Sequence, residues 1–160
     1  YVRAKTMEAI EATHKKVDAA LKAGGDAVGA QTVIATMPGQ LPLACNNRLN
    51  ELFVTNAKIA EPNVAVKDAG HFSASTDMGD VSHLLPVIHP FIGGVDGFLH
   101  TADFHVVDFK HAVLLPAKAF AMMIIDLLAD DAELARQIKT EHHPLLTKEE
   151  YIAKLDKYFQ

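Results

Sequence analysis

Apolar positions along the chain fall into two kinds of rhythm. Met7, Ile10, His14, Val17 and Leu21 recur at spacings of three and four, which predicts a helix with one apolar face. Thr6 stands before this run as an N-cap, with Glu8 in the first turn. Gly24-Gly25 is expected to end the helix or interrupt its last turn. Residues 1–5 and 31–37 alternate, and the second run (QTVIATM) is rich in β-branched residues, so both are expected as strands. The first 37 residues thus predict a β-α-β order, too few strands to stand alone as a domain.

Pro38-Gly39 and Pro42 break the pattern and mark the best domain boundary. Asn46 or Asn47 caps a second helix expected to reach about Ala60, before Glu61-Pro62-Asn63. Residues 64–67 read as a short strand or extended link. Residues 84–92 form an apolar run that predicts a buried strand, followed by a glycine loop (Gly93, Gly94, Gly97) that ends at His100. Residues 108–128 predict a long buried helix, in which Pro116 marks a kink or the true start. Asp130-Asp131 opens a further short helix, and Thr147-Lys148-Glu149-Glu150 is a capping box for a last amphipathic one.

Composition narrows the class. The chain has 160 residues, 49% hydrophobic and 22% charged, in the range of a globular domain with a proper core. A net charge of -5 gives no basic footprint, so no nucleic-acid partner is expected. The apolar stretches look too short or too broken for a bilayer, so no membrane partner is expected either. One cysteine, Cys45, excludes an internal disulfide and fits a reducing, cytoplasmic setting. The chain opens on Tyr1 in what reads as mid-strand, which is expected of the C-terminal piece of something longer; a trimmed chain would look the same.

Candidate chemistry concentrates between His71 and His105. A polar run over residues 73–82 leads into the apolar run, and the glycine loop follows. Glycines let the backbone bend sharply beside a ligand, and a neutral imidazole such as His100 is a good zinc or manganese ligand. A catalytic metal needs more ligands than this, and neither HExxH nor HxxEH occurs in the chain. Ser75, Thr76, Asp77 and Asp80 form either a ligand-orienting loop or a strand-to-helix turn with Ser75 or Thr76 as the N-cap and Asp80 in the first turn. His14 is expected at the edge of a core, His89 in a strand, His111 in a first helical turn and His142-His143 in an exposed linker. Ser75 is not in a Gly-x-Ser-x-Gly elbow, so a serine triad carries little weight.

Two motifs carry a resemblance. Ser75-Thr76-Asp77-Met78-Gly79-Asp80-Val81-Ser82 is one; Pro86-Val87-Ile88-His89-Pro90, the glycine loop and His100-Thr101 are the other. The chain resembles the C-terminal part of the aminoacylase and carboxypeptidase-type metallopeptidases, closest to the aminobenzoyl-glutamate utilisation protein B branch. The opening Tyr1 to Thr6 and the helix after it look like the second half of that family's lid domain. The resemblance implies an α/β fold: residues 1–38 as part of a ferredoxin-like lid or dimerisation domain, and residues 39–160 as the C-terminal half of a mixed-sheet catalytic domain.

It further implies hydrolysis of an amide in an N-acyl or aryl-amide amino acid or a dipeptide, by a Glu general base acting on a metal-bound water. One or two divalent ions, zinc or manganese, are implied as cofactor. By the match His100 is a metal ligand and Ser75, Thr76 and Asp77 lie on the substrate side. The general-base Glu and the other ligands are expected upstream of Tyr1, which leaves no catalytic residue in this chain. A homodimer is expected of the full-length protein. The position five after the terminal His, acidic in many relatives, is His105 here; the aminobenzoyl-glutamate branch also lacks the acid. The alternative from another class is a non-catalytic binding or assembly module, or a truncated relic.

Overall fold

The structure is a computed structural model. It describes residues 1–68, 70 and 74–157. His71, Phe72 and Ser73, at the head of the central stretch, lie outside the described residues. The chain divides into two compact units. The first comprises Tyr1–Ala44, Ala69–Leu85 and Pro144–Gln160, and the second Cys45–Asp68 and Pro86–His143.

In the first unit, α1 runs over Met7–Ala27, and Thr6 Oγ1 accepts from Ala9 N at 3.2 Å. The helix passes through Gly24 and Gly25, which lie in its last turn, and ends two residues after Gly25, at Ala27. What ends it is Gly29, at φ 71°: Gly29 N donates to Asp26 O and Ala30 N to Gly25 O. This paired closure needs a residue that tolerates positive φ just past the cap, and the earlier glycines are not in that position. No residue of α1 is buried. A short helix, α3 (Met78–Ser82), and the last helix, α5 (Lys148–Asp156), complete this unit. The capping box at Thr147 and Glu150 forms as expected.

In the second unit, α2 (Asn47–Ala60) begins at Asn46, whose side chain accepts from Leu49 N at 3.1 Å. α4 (Leu115–Glu141) follows a single π-helical turn, Lys110–Leu114, and Pro116 sits in its first turn. Pro116 therefore marks the start of the α-helix, where its missing N–H costs nothing. Residues 129–132 interrupt α4 with non-helical angles: Asp130, Asp131 and Ala132 all have positive φ. The core lies between α2 and α4. Leu49, Phe53 and Ala57 meet Ala119, Met123 and Ile138, and the Phe53 and Phe120 rings stand 4.9 Å apart.

The expected α/β fold is overturned. The chain is mostly helical, at 54%, and among the described residues there is a single two-stranded sheet, β1 (Val95–Asp96) and β2 (His105–Val106), paired antiparallel. Neither the β-α-β lid piece nor the mixed catalytic sheet is present among the described residues. Residues 1–5, 31–37, 64–67 and 84–92 contain no strand. Alternation and β-branching favour extended backbone, but a strand also needs a neighbour to share its N–H and C=O groups. The 84–92 segment shows the difference. Val87 is buried and its carbonyl accepts from Asn46 N at 2.8 Å, so the segment ties to the start of α2 rather than to a ladder.

The long apolar helix also departs from the expectation drawn from composition. By length and composition Lys110–Glu141 contains an 18-residue window apolar enough to cross a membrane, with a mean hydropathy of 1.9, of which 17% is buried. Its interruption at 129–132 and its packing against α2 are features of a helix in a folded layer.

Candidate functional site

In the first unit, the motif around α3 is built to hold the segment 40–44. Asp80 Oδ1 accepts from Leu41 N at 3.1 Å, and Ser82 Oγ accepts from Ala44 N at 3.0 Å while donating to Gly79 O. His83 Nε2 lies 2.9 Å from Pro42 O. A carbonyl only accepts, so this nitrogen carries the proton. Leu146 N donates in turn to His83 O at 3.0 Å. Ser82 and His83 are both buried, so these bonds satisfy groups that water does not reach. Gly79 is required by contact: a Cβ there would stand 2.0 Å from Leu41 O.

The three residues expected on the substrate side precede this clamp. Thr76 Oγ1 is 3.4 Å from Met78 N, and Thr76 O accepts from Gly79 N at 2.8 Å. Thr76 thus serves the turn into α3, but the N-cap position falls on Asp77 rather than on Ser75 or Thr76 and carries no side-chain cap bond; Asp80 stands in the first turn as expected. Ser75 and Asp77 are exposed. Asp77 Oδ1 accepts from Gln40 Nε2 at 2.7 Å. Pro38, Gly39, Gln40, Asp77, Asp80 and Leu155 line an open cleft of about 380 Å³. Two carboxylates and a carboxamide supply the polar part of its lining, beside Pro38, Gly39 and Leu155. Burial pushes the Tyr151 phenol above its ordinary range, and the Asp80 carboxylate adds to the effect.

His100 belongs to the second unit. It lies in the loop between β1 and β2, exposed, at φ 66°. Left-handed backbone is uncommon for a residue with a Cβ, and the surrounding loop imposes it here. Thr101 Oγ1 donates to Phe98 O at 2.6 Å and to the Asp103 carboxylate. That hydroxyl is the first cause that holds Asp103 below the usual carboxylate range. His105 Nδ1 lies 2.5 Å from Asp103 O. Gly97 N donates to Asp96 Oδ1 at 2.8 Å, and a Cβ on Gly97 would stand 2.5 Å from Asp103 O. At the hairpin base, Gly94 O accepts from both Val107 N and Asp108 N at 3.0 Å.

The remaining histidines have local roles. His111 donates from Nδ1 to Asp108 Oδ2 at 2.6 Å and from its backbone N–H to Oδ1 at 3.1 Å, so Asp108 caps the π turn. The same imidazole holds the Asp108 carboxyl below its ordinary range. His14 pairs with Asp18 at 3.4 Å on α1. His89 is half-buried, edge-on to Phe91 at 5.4 Å, and its Nδ1 has no hydrogen-bond partner. His142 caps α4 through its backbone N–H, and its Nε2 is likewise without a partner.

Among the described residues no three His, Cys, Asp or Glu side chains come together as a metal-ligand group. The described residues therefore offer an implied zinc or manganese ion only scattered single ligands; His100 is exposed, as are His105 and His143. Gln40 and His83 were not legible as site residues in the sequence. Both act across about forty residues of chain on partners that no local periodicity marks. No protein-family model, curated protein or solved structure matches the chain.

Proposed function

We propose that the chain supplies part of a metal-dependent amidohydrolase site acting on an N-acyl or aryl-amide amino acid or a dipeptide. His100 is one metal ligand in this reading, and Ser75, Thr76 and Asp77 form a loop on the substrate side. The general-base Glu and the other ligands come from residues outside this chain. The observation that carries the reading is the pair of motifs, Ser75 to Ser82 and Pro86 through His100-Thr101. The exposure of His100 and Asp77, and the polar cleft beside Asp77, support it. The α/β fold forms no part of it.

A metal titration tests this reading directly. Zinc or manganese added to the chain is expected to perturb the His100 imidazole first, weakly and without one-to-one saturation, because one imidazole makes an incomplete site. His100→Gly is the suitable variant, since glycine keeps the left-handed backbone that alanine would strain. Loss of the metal response in His100→Gly supports the assignment. An unchanged response there, or a tight one-to-one site elsewhere, overturns it.

A second reading is a non-catalytic assembly module. It is favoured by α4, which is apolar on the face away from α2 as well as on the face against it. A helix apolar all round is normally buried between two layers. An N-acyl amino acid that leaves the amides of residues 75–77 unperturbed in both the absence and presence of metal would favour this second reading.

A further inference from the structure

We infer that the break at residues 129–132 is a swapping hinge: when α4 straightens through it, its second half leaves this chain's α2 and packs on the α2 of a second copy. In the single chain α4 turns back on itself. Its first half runs along α2 in the same direction, with the Phe120 ring beside Phe53 and Asp126 bonded to Asn56. Its second half returns to the start of α2, where Arg48 pairs with Glu141 at 2.5 Å and reaches Gln137. Ile138 is 4% exposed, and Leu134 packs on the same core. What covers this face of α2 is therefore the segment 133–141, and a second copy brings the same segment with the same fit.

The backbone of the break favours the exchange. Asp130, Asp131 and Ala132 are left-handed in succession, at φ 49°, 58° and 59°. Residues with a Cβ enter this region singly and at a cost, and a run of three multiplies it. A sharp break usually has a Pro or Gly behind it. Residues 126–137 hold no Gly, Pro or Asn and are rich in Ala and Leu, which favour continuous helix. The Asp131–Arg136 pair is exposed on both sides and holds the bend weakly. Burial of Leu134 and Ile138 is what maintains it, and a swap keeps that burial while relieving the left-handed run.

The same residues also read as one straight helix. Phe120, Met123, Leu127, Leu134 and Ile138 stand at spacings of three, four, seven and four, a single stripe of an uninterrupted helix. All five face the α2 core in the bent chain. In the straight helix Glu141 lies about 22 Å beyond Asp126, away from Arg48, so the chain cannot cover its own α2. A two-fold partner covers it and is covered in return. The chain after Glu141 travels with the segment, so the bond from Leu146 N to His83 O also forms between copies. The inference is independent of the amidohydrolase reading.

Sedimentation of the full chain tests it, with reductant present to remove any link through Cys45. Chain held concentrated near its urea midpoint and returned to buffer should contain a dimer. That dimer should dissociate slowly on dilution, because the α2 core must open to release it. In dimers mixed from differently isotope-labelled copies, Ile138 of one copy should show nuclear Overhauser contacts to Leu49, Phe53 or Ala57 of the other. Asp130→Gly/Asp131→Gly/Ala132→Gly makes the left-handed run comfortable and should raise the dimer dissociation constant roughly tenfold or more. Asp130→Ala/Asp131→Ala favours the straight helix and should lower it. A chain that stays monomeric at every concentration after this treatment overturns the inference. So does a dimer in which Ile138 contacts α2 only within its own chain, or a pair of variants that do not move the dissociation constant in opposite directions.

Discussion

Asn56 Nδ2 lies 2.7 Å from Asp126 Oδ2 and joins α2 to α4 through a polar bond at the edge of the apolar core. The same amide group donates to Leu52 O at 3.1 Å, so both of its N–H bonds are used. Asn56 is only 2% exposed. An amide buried this deeply is tolerated because both donors are satisfied. Asn56→Ala removes them and leaves a small void. It is expected to destabilise the second unit by about 1–3 kcal/mol in urea unfolding. Asp126→Asn, which keeps an acceptor, should cost less.

Gly79→Ala tests the clamp in the first unit. The added Cβ would meet the backbone carbonyl of Leu41, which cannot swing aside as a long side chain can. Separation of α3 from the 40–44 segment is expected, at a cost of about 1–3 kcal/mol. Amide exchange at Leu41 and Ala44 should speed up, because their acceptors are Asp80 and Ser82. Unchanged protection at both amides would show that the clamp does not hold.

The hairpin loop gives a prediction that separates backbone from side chain. At φ 66°, His100→Val places a β-branched residue where only glycine and a few polar residues are comfortable. It should lower the stability of the loop by about 1–3 kcal/mol. His100→Gly should leave the β1–β2 pairing intact. Backbone chemical shifts of Val95 and Val106, paired across the ladder, report the outcome.

At the start of α5, Glu150 is held below the ordinary carboxylate range, first by the Thr147 backbone N–H and then by the Thr147 hydroxyl. A carboxyl whose folded pKa is depressed adds stability above its unfolded value. That contribution disappears as pH falls through the folded pKa. The last helix should therefore fray on acidification while α2, with no acid in its first turn, keeps its start. Thr147→Ala should cost the helix about 1 kcal/mol at neutral pH and flatten this pH dependence. Helical shifts of residues 148–156, followed from neutral to acid pH, check both.

Helix starts were legible in the sequence and sheet structure was not. Thr6, Asn46 and Thr147 each cap the helix they were expected to cap, because a cap is a bond within three or four residues. Gly24-Gly25 fall in the last turn of α1, as one of the two expectations had it, without interrupting it, and the residue that closes the helix is Gly29. Alternation over residues 1–5 and 31–37 and the apolar run over 84–92 suggested strands, but pairing is a relation between distant segments and has no local mark, and none of these segments forms a strand. The same limit hid the clamp. Asp80 was read as part of a turn and first helical turn, and Ser82 and His83 carried no local signal, yet the work of all three is on backbone groups about forty positions earlier. His100 was picked out by its glycine loop, and the loop does place it in an exposed, sharply turned position.

The double acceptor at Gly94 has a consequence for how this chain tolerates change. Its carbonyl takes both Val107 N and Asp108 N, and a Cβ there would stand 2.7 Å from Ala112 N. The root of the hairpin is thereby locked to the first turn before α4, with no help from the tip. Residues 98–104 are a closed excursion from a fixed base. Such a segment accepts foreign sequence: an epitope tag or a spectroscopic label spliced in there should be displayed in solvent while the helices behind it keep their fold.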